Sequence, residues 1–280
     1  MQAKQEHYKL DWHQEVLSNL LQSPTIQTRL GSAFVSVGHL LKFDLTDSFP
    51  VTTAKKLFFG QVKRELYCFL KGQTSKDDLH KAGVTIWDAD LDRANAEDIG
   101  PIYGWQWRKG FNGHDQLGWA VDELIITRGL TRRAIVSAWN PVEVLQPPAI
   151  LPPCHVLFQF NIVNDTLFTD VYQRSADAFL GLPFDVASFA IMSRLVANEL
   201  NVASLKINKE KLNYHISNLH LYKAHELAAI EELNNKASSE KPRLECYDGI
   251  DTFQFTACEL RGYNENRIIK AKLLTNETHF

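Results

Sequence analysis

No stretch of the 280-residue chain approaches the roughly 18 uninterrupted apolar residues that a membrane-spanning helix requires. Nor is there a Pro/Gly/Ser-rich linker, a block of like charge or an internal repeat, so residues 1–280 read as one domain. Met1 to Leu10 is polar and charged, unlike a secretory signal. Cysteine is scarce: Cys68, Cys154, Cys246 and Cys258 include no C-x-x-C pair. Without a secretory signal they read as reduced cytosolic thiols, not as disulfides or zinc ligands. An excess of one charge is missing too. Lys+Arg number 30 against 33 Asp+Glu, a formal net charge of −3, which gives no global attraction to nucleic acid or to an anionic membrane. An anionic ligand would need a local cluster of arginines.

What is present is a chain that is 45% hydrophobic, enough for a sizeable core. Helix-like and strand-like segments alternate. His13 to Leu21 has the spacing of a short amphipathic helix, and Phe58 to Leu70 that of another, with Gly72 placed to end it. Ala33 to Leu45 is rich in β-branched and aromatic residues and predicts a strand, as does Arg133 to Trp139. Val156, Phe158, Phe160 and Ile162 alternate along His155 to Val163, and Asn164-Asp165 turns that strand into Leu167 to Arg174. Pro183 to Leu200 predicts a buried helix with Ala187, Ile191 and Leu195 on one stripe, and His220 to Asn234 predicts another helix. A mixed sheet flanked by helices, an α/β (α+β) arrangement, is the expected result.

Chemistry concentrates around Leu151-Pro-Pro-Cys154-His155, at the start of a predicted strand. A cysteine there usually packs. It becomes a nucleophile where cations favour its thiolate, and Arg174, within Tyr172-Gln-Arg-Ser-Ala-Asp177, and Arg132-Arg133 are the candidates. On the residues alone, packing and catalysis both stay open. His215, His220 and His225 invite a metal reading, but a spacing of five suits no single helix face, so no metal site is expected.

Taken in order, these segments resemble the thymidylate synthase family. Pro-Pro-Cys154-His155, Gln-Arg174-Ser175-Ala-Asp177 and Leu180-Gly181-Leu-Pro-Phe follow the family's sequence from Leu151 to Leu200. Thr28-Arg29 with Gly31, Lys63-Arg-Glu65-Leu, Thr85-Ile-Trp87-Asp, Gly100-Pro-Ile-Tyr103-Gly and Arg132-Arg133 through Asn140 agree, and the similarity spans about residues 12 to 270. The resemblance implies a dimer formed through the sheet, with a pyrimidine deoxynucleotide and 5,10-methylenetetrahydrofolate as substrates. Cys154 would add to carbon 6 of the base. Glu65 would manage protons, supported by Tyr103 and His155. Arg29 and Arg174 of one chain and Arg132 and Arg133 of its mate would hold the phosphate together with Ser175, as bidentate guanidinium groups suit a phosphate dianion. His220 and Tyr222 would hold the ribose hydroxyl, and Trp87, Asp177 and Gly181 would lie on the folate side.

Three departures from the family pattern bear on substrate and product. The family's base-reading asparagine is Asp185 here. Protonated, an acid can donate to ring nitrogen 3 of cytosine and accept from its exocyclic amine; ionised, it can pair with a ring-protonated cytosine. A site built on such hydrogen bonds rejects the wrong partner by ~10⁴–10⁵, so Asp185 points to dCMP. Leu219 before His220 is similar to the phage deoxycytidylate hydroxymethylases, although Cys154-His155 and Pro183-Phe184 follow the synthases. Finally, the second tryptophan of the family's water-excluding pair is Asp90, and the tail from Ile269 to Phe280 runs on to a polar end. Weaker sealing favours water over hydride at the last step. The expectation is therefore dCMP 5-hydroxymethylation in the cytoplasm, of a host cell if the chain is phage-encoded. Behind it stand dCMP methylation, dTMP synthesis from dUMP, and an idle homologue that binds nucleotide or RNA.

Overall fold

The structure is a computed structural model and describes residues 10–146 and 149–274. The chain opens with α1 (Trp12–Leu20), β1 (Thr25–Thr28), β2 (Gly31–Asp44) and α2 (Phe59–Leu70). Six short helices and one strand follow: α3 (Lys76–Lys81), α4 (Asp88–Ala94), α5 (Gly104–Arg108), α6 (Gly110–Gly113), α7 (Gln116–Ile126), β3 (Ile135–Ser137) and α8 (Pro141–Val144). The second half holds β4 (His155–Val163), β5 (Thr166–Asp177), α9 (Gly181–Val202), β6 (Lys209–Tyr222), α10 (Glu226–Asn234), β7 (Arg243–Glu245) and β8 (Glu259–Arg261). Asp11 starts α1 with a capping box: its carboxylate accepts from the amides of His13 and Gln14, and the Gln14 side chain accepts from the Asp11 amide.

Six strands form one sheet in the order β1-β2-β6-β5-β4-β3. Only β5 and β6 run parallel, joined by the long crossover through α9 that parallel strands require. This mixed α/β architecture is the one expected from the sequence. Helix α9 is buried along most of its length, and its predicted stripe of Ala187, Ile191 and Leu195 is fully buried. It packs on β5 and β6 and against α2 and α7, so the core lies between the sheet and these helices. Register places Leu40, His215, Tyr172 and Leu157 side by side on the opposite face, with Asp170, Gln159 and Ile135 two residues on. Leu40, Tyr172 and Ile135 are exposed there.

Two expectations are corrected. His220 and Tyr222 do not open a helix; they end β6, and the helix begins only at Glu226 after a 3-10 turn at Lys223–His225. Leu212, Tyr214 and Ile216 alternate inward along that strand, and the alternation slips before Leu219 and Leu221, which hides the strand from a periodicity search. The cysteines are not four reduced thiols either: Cys246 and Cys258 form a disulfide, while Cys68 and Cys154 are free. The cause is register. Strands β7 and β8 pair Arg243 with Arg261 and Glu245 with Glu259, so Cys246 and Cys258 are the next facing pair, 4.4 Å apart at Cα.

Candidate active site

Cys154 sits immediately before β4, in a loop held from two sides. Arg174 donates through Nε to the Pro153 carbonyl (3.0 Å) and through Nη2 to that of Pro152 (2.8 Å), and its amide donates to the Cys154 carbonyl (2.9 Å). The Cys154 amide in turn donates to the Tyr103 hydroxyl at 2.9 Å. Tyr103 adopts φ +44°, and the bare backbone of Gly104 beside it packs directly on the backbone of Phe69, where a Cβ would clash. Burial pushes the Cys154 thiol above its ordinary range. Arg174 and the Tyr103 hydroxyl pull the other way, and the charge of Asp185 adds to the rise. The free protein therefore holds this sulfur mainly as a thiol, with a guanidinium close by to favour thiolate if the Asp185 charge is neutralised.

Behind the cysteine lies a small cavity of about 20 Å³, room for one water, lined by Glu65, Phe69, Trp107, His155, Asp185 and Ser188. Glu65 comes from α2 and accepts from Trp87 Nε1 at 3.0 Å. Burial, then the nearby charge of Asp185, raises its carboxyl from an ordinary 4.5 to about 7, against the opposing pull of Trp87 and His155. His155 Nε2 is 3.2 Å from Asp185 Oδ1 but off the hydrogen-bond line, so both buried ring nitrogens keep unused capacity. Asp185 Oδ2 accepts from Gln173 Nε2 at 2.8 Å, and Gln173 Oε1 accepts from the buried Tyr214 hydroxyl at 2.7 Å. That last bond fixes which end of the Gln173 amide faces Asp185. Gln173 and Tyr214 do not stand out in the sequence. The glutamine stands inside the Gln-Arg174-Ser175 motif, which was the only available signal.

The parallel register of β5 and β6 gathers a second group. Ser175 lies beside Asn218 and Asp177 beside His220. His220 Nδ1 is 3.2 Å from Asn218 Oδ1, and its ring meets Tyr222 edge-on at 4.9 Å. Burial lowers the pKa of His220 against the pull of Asp177, which favours a neutral ring. Burial and the Asp177 charge push the Tyr222 phenol up to about 12, and Arg29, on the β1–β2 turn, works in the opposite direction. Asp177 Oδ1 accepts from the amides of Phe179 and Leu180, and a Cβ on Gly181 would come within 3.7 Å of Asp185 Oδ2 and 3.9 Å of Asp177. Gly181 thus leaves a bare strip of backbone between the two carboxylates.

Arg132 and Arg133 are not brought to this group. The Arg132 carbonyl accepts from Gln159 Nε2, and Gln159 is five residues along β4 from Cys154, about 16 Å at a strand's rise. Both arginines are exposed, with Arg133 paired to Glu123 at 2.5 Å. Trp87 is at the site through Glu65. Asp90 is buried on the next turn and paired with Arg93 at 2.8 Å, and burial raises its carboxyl. His215 faces Asp170 on the open side of the sheet, away from His220 and His225, and no group of three metal-ligating side chains occurs among the described residues. The end of the tail, 275–280, lies outside the described residues. No helix among those described is long and apolar enough to cross a membrane.

A cysteine beside an arginine, a carboxyl raised to near neutrality and a water-sized cavity thus meet at one end of the sheet. The thymidylate synthase family model matches residues 7–275, nearly the whole chain. The chain therefore belongs to the thymidylate synthase family of folate-dependent enzymes, which transfer a one-carbon unit to carbon 5 of a pyrimidine nucleotide.

Proposed function

We propose that this enzyme is a deoxycytidylate 5-hydroxymethyltransferase, converting dCMP, 5,10-methylenetetrahydrofolate and water to 5-hydroxymethyl-dCMP and tetrahydrofolate. The observation that carries the base assignment is an acid in place of an amide at residue 185. Gln173 engages its Oδ2, and its Oδ1 is turned toward His155 and the cavity. With Oδ2 accepting, a proton on Asp185 belongs on Oδ1, which can donate to ring nitrogen 3 of cytosine.

Cys154 Sγ adds to carbon 6 of the base once Arg174 has favoured its thiolate, and the electron pair moves to carbon 5. A cytosine engaged by Asp185 removes that carboxylate's bare charge, the unfavourable contribution at Cys154 apart from burial. Glu65, poised near pH 7, gives and takes protons at the base edge and through the adjoining cavity. Trp87 beside Glu65, the bare backbone of Gly181 near Asp185 and the Asp177 carboxylate are the residues that would hold a flat co-substrate. The folate supplies the one-carbon unit at the oxidation level of formaldehyde. Carbon 5 bonds that unit and loses its proton as tetrahydrofolate departs; water then adds to the exocyclic methylene, giving up a proton, and expulsion of Cys154 as thiolate restores the aromatic ring. The carboxylate of Asp90 where a second tryptophan would stand supports water over hydride. Arg29, Arg174 and Ser175 hold the phosphate, and His220 with Tyr222 the sugar hydroxyl. Arg132 and Arg133 serve the site of a second chain, since the open sheet face with Leu40, Tyr172 and Ile135 suits a homodimer contact.

Mass spectrometry of the products from dCMP and from dUMP, each with methylenetetrahydrofolate, tests this reading. A hydroxymethyl product from dCMP, with the oxygen taken from heavy-oxygen water, is expected. Faster turnover of dUMP refutes the base assignment, and a methyl product with stoichiometric dihydrofolate refutes the water step.

A further inference from the structure

One buried polar cluster outside the cleft takes no part in the chemistry above. Glu232 of α10 is fully buried, with Oε1 2.6 Å from His13 Nδ1 of α1 and Oε2 3.2 Å from Lys55 Nζ. Each partner reaches onward to a backbone carbonyl. His13 Nε2 is 2.7 Å from the Ala178 oxygen, and Lys55 Nζ donates to the Phe179 oxygen at 2.5 Å while lying 3.6 Å over the Phe179 ring. The ring of His13 therefore spans the Glu232 carboxylate and the Ala178 carbonyl, one at each nitrogen. One carboxylate thus serves both His13 and Lys55. Burial pushes the Glu232 carboxyl up, yet His13 and Lys55 outweigh it and hold it at about 2.

The two carbonyls belong to the joint between β5 and α9. The donors of that joint are held as well: the Ala178 amide donates to the His220 carbonyl at 2.8 Å, and those of Phe179 and Leu180 to Asp177. Helix α9 begins at Gly181 and carries Asp185 into the cleft one turn later. A small change at the joint therefore moves Asp185 against the base, and a displacement of about 1 Å in such a group can cost ~10²-fold.

We propose that His13, Glu232 and Lys55 form a positioning clamp that sets the direction in which α9 leaves the sheet, so that base discrimination depends on three side chains remote from the substrate. The proposal rests on Asp185 as the base reader. Its test is the double variant Lys55→Met/Glu232→Gln, which removes the carboxylate and the ammonium together; a neutral His13 can then donate to the Ala178 carbonyl and accept from the introduced amide, so no charge is left buried alone. The ratio of kcat/KM for dCMP and dUMP is compared with wild type, beside urea unfolding. The expected result is a folded enzyme whose ratio collapses by tenfold or more, with KM for the preferred nucleotide rising more than kcat falls. A ratio within twofold of wild type overturns the clamp, because loss of stability alone leaves discrimination in the folded fraction intact. Should the double variant not fold, His13→Gln decides by the same criterion: its two donors sit on one nitrogen, so it cannot span both acceptors as the ring does. A wild type that prefers dUMP would sink the cytosine assignment but not the clamp, since a preference of either sense can collapse.

Discussion

Replacing Glu65 by glutamine should stabilise the protein above neutrality while disabling it. The carboxyl is raised from 4.5 to about 7, first by burial and then by the charge of Asp185. The sign follows from proton binding. The unfolded chain releases this proton near pH 4.5, whereas the folded chain keeps it to about pH 7. Between those values the folded state binds more protons, so stability falls as pH rises through the window and levels off above it. Each pH unit corresponds to about 1.4 kcal/mol, giving a ceiling of about 3 kcal/mol over the whole window; the true figure is smaller, because the side chain keeps some solvent contact. Glutamine has no such slope and still offers an oxygen to Trp87 Nε1. Urea unfolding at fixed protein concentration should therefore show the advantage of Glu65→Gln growing by up to about 2 kcal/mol between pH 5.5 and pH 8. Turnover should fall by ~10²–10⁴, the usual worth of a general acid or base. A stability difference that stays flat with pH would refute the buried-acid reasoning, and retained turnover would remove Glu65 from the chemistry.

Cys154→Ala should abolish turnover yet keep nucleotide binding, as measured by calorimetry; more than a few per cent residual activity would exclude the covalent step. Mixing Arg133→Ala chains with Cys154→Ala chains should restore activity, because a mixed dimer rebuilds one complete site. No recovery in a demonstrated heterodimer would count against shared arginines. Asp185→Asn should shift kcat/KM from dCMP toward dUMP by ~10²-fold or more, since each mispaired buried hydrogen bond costs about 1–3 kcal/mol. An unchanged ratio would mean that residue 185 does not read the base.

The sequence reveals most where one segment carries its own pattern, and least where distant segments meet. The inward stripe of α9, the hairpin of β4 and β5 with Asn164 in the left-handed conformation, and the C-terminal stop of α2 at Gly72 are local, and each stands in the structure as expected. Strand β6 is also local, but its outward face is polar and its alternation slips, so in sequence His220 and Tyr222 merge with the helix that follows. Strands β7 and β8 have three residues each, too few for any period to show, and the Cys246–Cys258 bond depends on their pairing. The cleft has the same character. The family motifs name Cys154, Glu65 and Asp185, but no motif states that Asp185 raises the carboxyl of a residue 120 positions earlier, or that Tyr214 orients Gln173 toward it. Those relations decide what an acid at 185 does. Its charge opposes ionisation of both Glu65 and Cys154, so binding a base that neutralises Asp185 would favour the Glu65 carboxylate and the Cys154 thiolate together. An amide could not couple recognition to reactivity in this way, so on the proposed reading aspartate in place of asparagine would change the chemistry of the site as well as its specificity.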